Sequence, residues 1–128
     1  MSQPQVTALL CEYATILADG TCTIVRGGIE VWKAATLPLE ISPWLFVQVG
    51  GNSLSGGKHE ALVQFINPEG LVLHTTSVEL LVGKPEFPGR FTLPLRASVQ
   101  AYGDFTVRIQ IEALPVTELR LNVKIDAP

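Results

Sequence analysis

The residues best suited to catalysis or metal binding in this chain of 128 residues are two histidines, two cysteines and one glutamate. His59 and His74 lie on two consecutive predicted strands joined by a turn at Pro68-Glu69. Pairing about that turn places His74 opposite Val63, so the imidazoles are about 13 Å apart at about 3.3 Å per residue. One metal ion, whose ligands lie about 2 Å away, cannot bind both. We therefore predict no metal site.

The two thiols are predicted to stay reduced. Cys11 and Cys22 flank a turn signal at Asp19-Gly20. Pairing about that turn places Cys22 opposite Leu17 and Cys11 opposite Gly28, too far apart for a disulfide. A pairing of either thiol with His74 across two sheets stays open.

Glu12 interrupts an apolar stretch, with Leu10, Ala14 and Ile16 on its own face of a strand. A buried, partnered carboxylate there would mark a functional site, whereas a partly exposed face would not. The chain has no nucleophile-elbow motif and no paired acids at a plausible site. We predict no catalytic residues, no cofactor and no enzymatic activity. A buried acid–histidine or cysteine–histidine pair within hydrogen-bond reach would reopen that question.

The glycine-rich stretch Gly50–Gly57 resembles a phosphate-binding loop only superficially. That motif requires a glycine where Asn52 stands and a hydroxyl residue where His59 stands, with a helix after it. A strand pattern follows instead, so we predict a flexible loop. The predicted interaction surface combines this loop with the two tryptophans, which are enriched at binding hot spots: Trp32, Trp44, Asn52, Ser53 and Leu54. Core packing is the alternative for both tryptophans.

The elements that must position these residues are strands. Between Asp104 and Glu112, apolar and polar residues alternate strictly, which indicates a half-buried strand. Residues 119–125 alternate in the same way. Antiparallel pairing about Pro115 places Phe105 opposite Ile125 and predicts a sheet with one wet face. It also places Glu112 opposite Glu118, a mildly adverse pair.

Six further strands are predicted, over residues 6–17, 21–33, 44–49, 59–66, 71–80 and 91–99. Gly27-Gly28 indicates a bulge that lets the second strand change sheets. Pro94 cannot donate to a ladder, so the sixth strand is predicted at an edge or a bulge. Asn67–Gly70 has the pattern of a type I turn.

Together these features predict one all-β domain over residues 1–128, an eight-stranded antiparallel β-sandwich with Greek-key or immunoglobulin-like connections. Several strands in the first half are apolar on both faces. Either the chain covers them on both sides, or a partner does.

Composition narrows the function. The net charge is −3 without a basic block, which argues against nucleic-acid binding. The N-terminus lacks a basic leader, and no apolar run reaches the length of a membrane span, so we expect a cytoplasmic protein. Charged residues make up only 16% and mean hydropathy is +0.32. Either a well-filled core with Ser/Thr/Gln surfaces or partial coverage by a partner or a second copy would account for these values.

Four short segments resemble those of a family of small uncharacterised bacterial proteins: Leu17–Gly20, Arg26–Ile29, Val63–Gly70 and Tyr102–Ile109. The resemblance covers nearly the whole chain and implies a β-sandwich of unknown function. It implies no catalytic residues.

We therefore expect a non-enzymatic binding or assembly module. It would act through an exposed apolar sheet face or an edge strand, with a protein partner or as a homo-oligomer. The alternative is a binder of small ligands or carbohydrate that uses the Gly50–Gly57 end. The sequence does not specify the partner, the ligand or the oligomer number.

Overall fold

The computed structural model of this protein describes residues 6–50, 56–83 and 88–126. These residues form twelve strands and no helix, which confirms the all-β prediction. The strands are β1 (Val6–Cys11), β2 (Tyr13–Ile16), β3 (Cys22–Val25), β4 (Val31–Ala34), β5 (Leu39–Ile41), β6 (Trp44–Val49), β7 (Gly57–Ile66), β8 (Val72–Val82), β9 (Gly89–Pro94), β10 (Ala97–Val99), β11 (Gly103–Ile111) and β12 (Thr117–Ile125).

The largest sheet has five strands in the order β4-β12-β11-β7-β8. Its central strand β11 alternates as predicted, with Phe105, Val107, Ile109 and Ile111 all buried. The intervening residues are exposed or half-buried. One face of this sheet therefore belongs to the core and the other faces water.

A three-stranded sheet, β1-β6-β9, packs against the apolar face of the larger sheet, and a short pair, β5–β10, completes the second layer. The core between the layers takes residues from both, including Leu45 and Val47 of β6 and Leu121 and Val123 of β12. β6 and β9 are neighbours, although the β7–β8 hairpin between them in sequence lies in the other sheet.

The hairpin β2–β3 forms a small third layer over the outer side of β6. Leu45 faces the main core, whereas Phe46 and half-buried Trp44 join a second cluster with Cys11 and Ala14. The continuous apolar run of β6 is thereby explained: this strand is covered on both faces by its own chain.

Twelve strands replace the eight predicted because three predicted strands are each divided and β5 is additional. The first divides after Cys11, which pairs with Trp44 at the start of β6. Because β6 offers no partner beyond that point, the chain continues with β3 instead, and the Glu12 amide donates to the Val25 carbonyl at 2.9 Å.

The second predicted strand divides at the glycine pair, where Gly28 has a φ of 88°. The strand changes sheets there as predicted, since β3 pairs with β2 and β4 joins the five-stranded sheet. β4 runs parallel to β12, so the prediction of a wholly antiparallel fold was wrong. The sixth predicted strand divides after Pro94, and β9 lies at an edge as predicted.

The predicted register of β11 and β12 was also wrong. Phe105 lies opposite Leu121, not Ile125. The turn begins directly after Ile111, where Glu112 has a φ of 45° and the Leu114 amide donates to the Ile111 carbonyl at 2.9 Å. The slip is an even number of residues, so the apolar face is preserved.

As a consequence Glu118 lies opposite Arg108, with 3.2 Å between the Arg108 Nε and a Glu118 carboxylate oxygen, and not opposite Glu112. The adverse glutamate pair expected from the sequence is therefore replaced by a favourable ion pair on the wet face.

The registers of two other hairpins, β7–β8 and β2–β3, differ from the predicted registers by fewer residues. His59 lies opposite Leu80 and His74 opposite Phe65, because β8 carries a bulge beside Phe65 and Ile66. The imidazoles are then six residues apart along the strands, or about 20 Å. In β2–β3, Cys22 lies opposite Ile16 and not Leu17.

The third layer leads to a test of the fold. Replacing Phe46 with alanine should destabilise the protein by about 3–5 kcal/mol, because loss of the ring would leave a cavity in the second cluster. Urea unfolding followed by circular dichroism measures this. Leu81→Ala, at a residue of β8 that is 66% exposed, is the matched control and should cost less than about 0.5 kcal/mol. Equal effects of the two substitutions would show that β2–β3 does not cover β6.

Candidate interaction surfaces

The predicted interaction residues that the structure describes fall in two different places. Trp32 of β4 is half-buried and packs against the main core. Trp44 of β6 packs in the second cluster, with its ring 5.1 Å from that of Tyr13 in an edge-on contact. Asn52, Ser53 and Leu54 lie outside the described residues. The two tryptophans thus belong to separate clusters.

The most exposed apolar segment lies at the start of β8, an edge strand of the five-stranded sheet. Leu71, Val72 and Leu73 follow one another with relative exposures of 64%, 46% and 44%. Within the described part of the chain, β8 has a hydrogen-bonded neighbour only on its β7 side. Its other end is covered, since the side chains of Leu80 and Val82 pack against Gly89 of β9.

A shallow cleft of about 670 Å³ lies along β4 at the opposite edge of the same sheet. We name it the β4 cleft. Its lining combines one aromatic ring, charged groups of both signs and a backbone segment rich in glycine: Glu12, Arg26, Gly27, Gly28, Ile29, Val31, Trp32, Lys33 and Ser42. Glu12, the acid singled out from the sequence, is exposed here and lies 3.7 Å from the Arg26 guanidinium.

An acid–histidine pair joins β7 to the β11–β12 turn. Nδ1 of His59 lies 2.6 Å from a carboxylate oxygen of Glu112, and the His59 side chain is only 10% exposed. Because an ionised carboxylate can only accept, Nδ1 carries the proton in this contact. The second carboxylate oxygen of Glu112 accepts the Glu60 amide at 3.2 Å.

The contact between His59 and Glu112 holds the β11–β12 turn against β7. Glu112 has left-handed backbone geometry, and the Gln110 side chain donates to the carbonyls of both Glu112 and Leu114. The hydrogen bond from His59, supported by the Glu60 amide, holds the pKa of Glu112 below its ordinary value. The pair meets the distance criterion for acid–base chemistry, although its carboxylate is exposed.

Sequence reasoning missed this pair because its members are 53 residues apart and no local motif marks either one. They meet through the β7–β11 ladder, which places Ala61 opposite Ile111. The only available signal was that His59 begins an alternating strand and Glu112 ends one.

Within the described ranges, no three His, Cys, Asp or Glu side chains lie close enough together to hold a metal ion. The same residues include no helix that is long and apolar enough to cross a membrane. Comparison with protein-family models gave no match to this chain, and comparison with curated proteins gave none either. The resemblance to a bacterial family stays a prediction.

The Glu112 contact generates a pH prediction. A carboxylate with a lowered native pKa contributes stability above its ordinary value of 4.5 and loses that contribution as pH falls through the native pKa. Glu112→Gln should therefore be less stable than the natural protein near neutral pH, and the difference should shrink below pH 4.5. Chemical denaturation across this pH range measures it. Glu69→Gln in the β7–β8 turn is the control, and a pH-independent difference for Glu112→Gln would contradict the prediction.

The two cysteines should differ in reactivity. Both are free thiols, but Cys11 is fully buried and burial raises its pKa, whereas Cys22 is half-buried. Since the thiolate is the reactive form, Ellman's reagent should modify Cys22 first and Cys11 only after unfolding. Titration of the native and denatured protein, with Cys22→Ser as the control, checks this. Rapid native modification of the Cys22→Ser variant would contradict it.

Proposed function

We propose that this protein is a non-enzymatic assembly module that associates with a second copy of itself through the edge strand β8. The observation that carries the proposal is the exposed apolar run Leu71–Leu73, which leads into β8, an edge strand of 11 residues. An exposed edge strand presents unpaired backbone donors and acceptors that another strand can satisfy.

The sequence of β8 lacks the charges and prolines that usually protect an edge, although the strand carries the bulge beside Phe65 and Ile66. Natural edges carry lysine, proline or inward-pointing charges that discourage pairing. Between Val72 and Val82 the chain has no lysine, arginine or proline, and Glu79 is its one carboxylate. The other open edge of this sheet, β4, has only four residues and includes Lys33.

A second copy suits this edge better than an unrelated strand. In antiparallel self-pairing about a two-fold axis at His74, the exposed Leu71 and Leu73 lie opposite the hydroxyl residues Ser77 and Thr75 of the other copy. The two Glu79 carboxylates then lie at opposite ends of the paired segment and do not face each other, although each lies beside the β7–β8 turn of the other copy, which includes Glu69. The covered half of β8, near Leu80, takes no part.

Not every apolar run of the chain needs a second copy to cover it. The continuous apolar run of β6 needs no partner, because β2–β3 covers it. The run Leu71–Leu73, in contrast, consists of exposed apolar residues that remain without a cover.

The same proposal includes immunoglobulin-like Greek-key connections, which the pairing of β6 with β9 around the β7–β8 hairpin supports. A cytoplasmic location also belongs to the proposal.

Ligand binding at the Gly50–Gly57 end stays a prediction, since residues 51–55 lie outside the described residues.

Self-association through β8 predicts a dimer that one edge charge disrupts. The natural protein should show a dimeric mass by size-exclusion chromatography with light scattering. Leu73→Lys should shift the mass to that of a monomer, because pairing would bring two ammonium groups together at the centre of the interface. The matched control, Val31→Lys, adds the same charge to the β4 edge and should leave the dimer intact.

A monomeric natural protein at its highest soluble concentration would overturn the proposal. So would a dimer that persists in Leu73→Lys and dissociates in Val31→Lys, since that result would place the interface at β4.

A further inference from the structure

We propose that the β4 cleft binds a sugar acid, a pyranose ring that carries a carboxylate. This site is independent of the self-association proposed above, because the cleft lies at the other edge of the five-stranded sheet from β8. Its volume of about 670 Å³ falls within the range of small-molecule sites, about 300–1,000 Å³.

The floor of the cleft is held in place by backbone hydrogen bonds. The amides of Gly28 and Ile29 both donate to the Leu10 carbonyl, at 2.8 and 2.9 Å. Gly27 packs closely as well, since a Cβ there would lie 3.1 Å from the Ile24 side chain. A ligand would therefore meet a surface that does not have to be ordered on binding.

The aromatic wall is fixed in the same way. Trp32 lines the cleft and also packs against the main core, and its strand pairs with β12 opposite Val123. The flat, apolar face of an indole complements the C–H face of a sugar ring. Because the indole is anchored by the core, stacking on it costs little side-chain entropy.

The charges favour an acid over a neutral sugar. Arg26 and Lys33 are cations, Glu12 is the one carboxylate, and the lining is therefore positive in a protein whose net charge is −3. Arg26 is 78% exposed and has a φ of 51°, a left-handed conformation that is uncommon for a long side chain. Such strain concentrates at functional sites.

The Arg26 guanidinium can bind a carboxylate through two parallel hydrogen bonds, a geometry that gives specificity as well as energy. Its present partner, Glu12, is 3.7 Å away and exposed, so a ligand carboxylate can compete for it. The Ser42 hydroxyl at the cleft wall is available to sugar hydroxyls.

A second polar cleft illustrates the selectivity of this charge pattern. The cleft beside β7 and β8 is lined by three carboxylates and three other polar residues: Glu60, Glu79, Glu112, Lys58, His59 and Ser77. Its excess of carboxylates would repel an acid, and its lining includes no indole on which a sugar ring could stack. The chemistry of a sugar acid therefore matches the β4 cleft and not this one.

The test uses the intrinsic fluorescence of Trp32. The chain has two tryptophans, so a Trp44→Phe variant leaves Trp32 as the sole reporter. Titration with sodium glucuronate should give a saturable signal with a Kd of about 0.1–1 mM, a modest affinity for one stacked ring and one ion pair. Glucose and sodium acetate serve as probes that lack the carboxylate and the ring respectively, and each should bind at least tenfold more weakly.

Two substitutions with opposite expected effects locate the site. Arg26→Asn removes the guanidinium and introduces a residue that tolerates left-handed φ. It should weaken glucuronate binding about tenfold. Glu12→Gln removes the competing carboxylate and should tighten it. Lys58→Gln, a cation lost at the other cleft, should change nothing.

Absence of a saturable signal with glucuronate would overturn the proposal, as would equal binding of glucose or acetate. Unchanged affinity in Arg26→Asn would place the ligand elsewhere and also overturn it. Nuclear magnetic resonance shifts confined to Gly27, Gly28 and Ser42 would support the assignment without relying on fluorescence, and shifts confined to the β7–β8 cleft would refute it.

Discussion

The structure depends on burying one apolar face of the five-stranded sheet against the sheet formed by β1, β6 and β9. Phe105 of β11 is fully buried and stacks on Phe65 of β7, with ring centroids 5.3 Å apart. Side chains of this kind remove large apolar areas from water, which is the main favourable term in folding. This burial also constrains the register of the strands, because a strand shifted by one residue would turn its apolar side chains away from the core.

The same constraint separates the covered surfaces of this protein from the open ones. β6 lies between the main core and the β2–β3 hairpin, so its apolar residues are satisfied on both faces. The first residues of β8 extend beyond the core and remain exposed. The β4 cleft forms where the chain passes from β3 to β4, at the glycine pair that lets it change sheets. Both proposed functions therefore arise at edges where the packing of the two layers ends.

Alternation predicted the residues that face the core better than it predicted their partners. Phe105, Val107 and Ile109 were assigned correctly to the buried face of β11, and β6 was predicted with its observed bounds. Pairing depended on where each turn begins, which Pro115 did not reveal because Glu112 takes up a left-handed conformation. The candidate sites were harder still, since the β4 cleft and the His59–Glu112 contact join residues from distant strands.

The sequence by itself determined the all-β class, the buried and exposed faces of the later strands, the turn signals and the change of sheets at Gly27-Gly28. These follow from local rules of period and backbone freedom. Only the tertiary structure decided the division of three strands, the parallel pairing of β4 with β12 and the coverage of β6. Those depend on which strand lies within hydrogen-bond reach, a matter of packing between distant segments that no local pattern encodes.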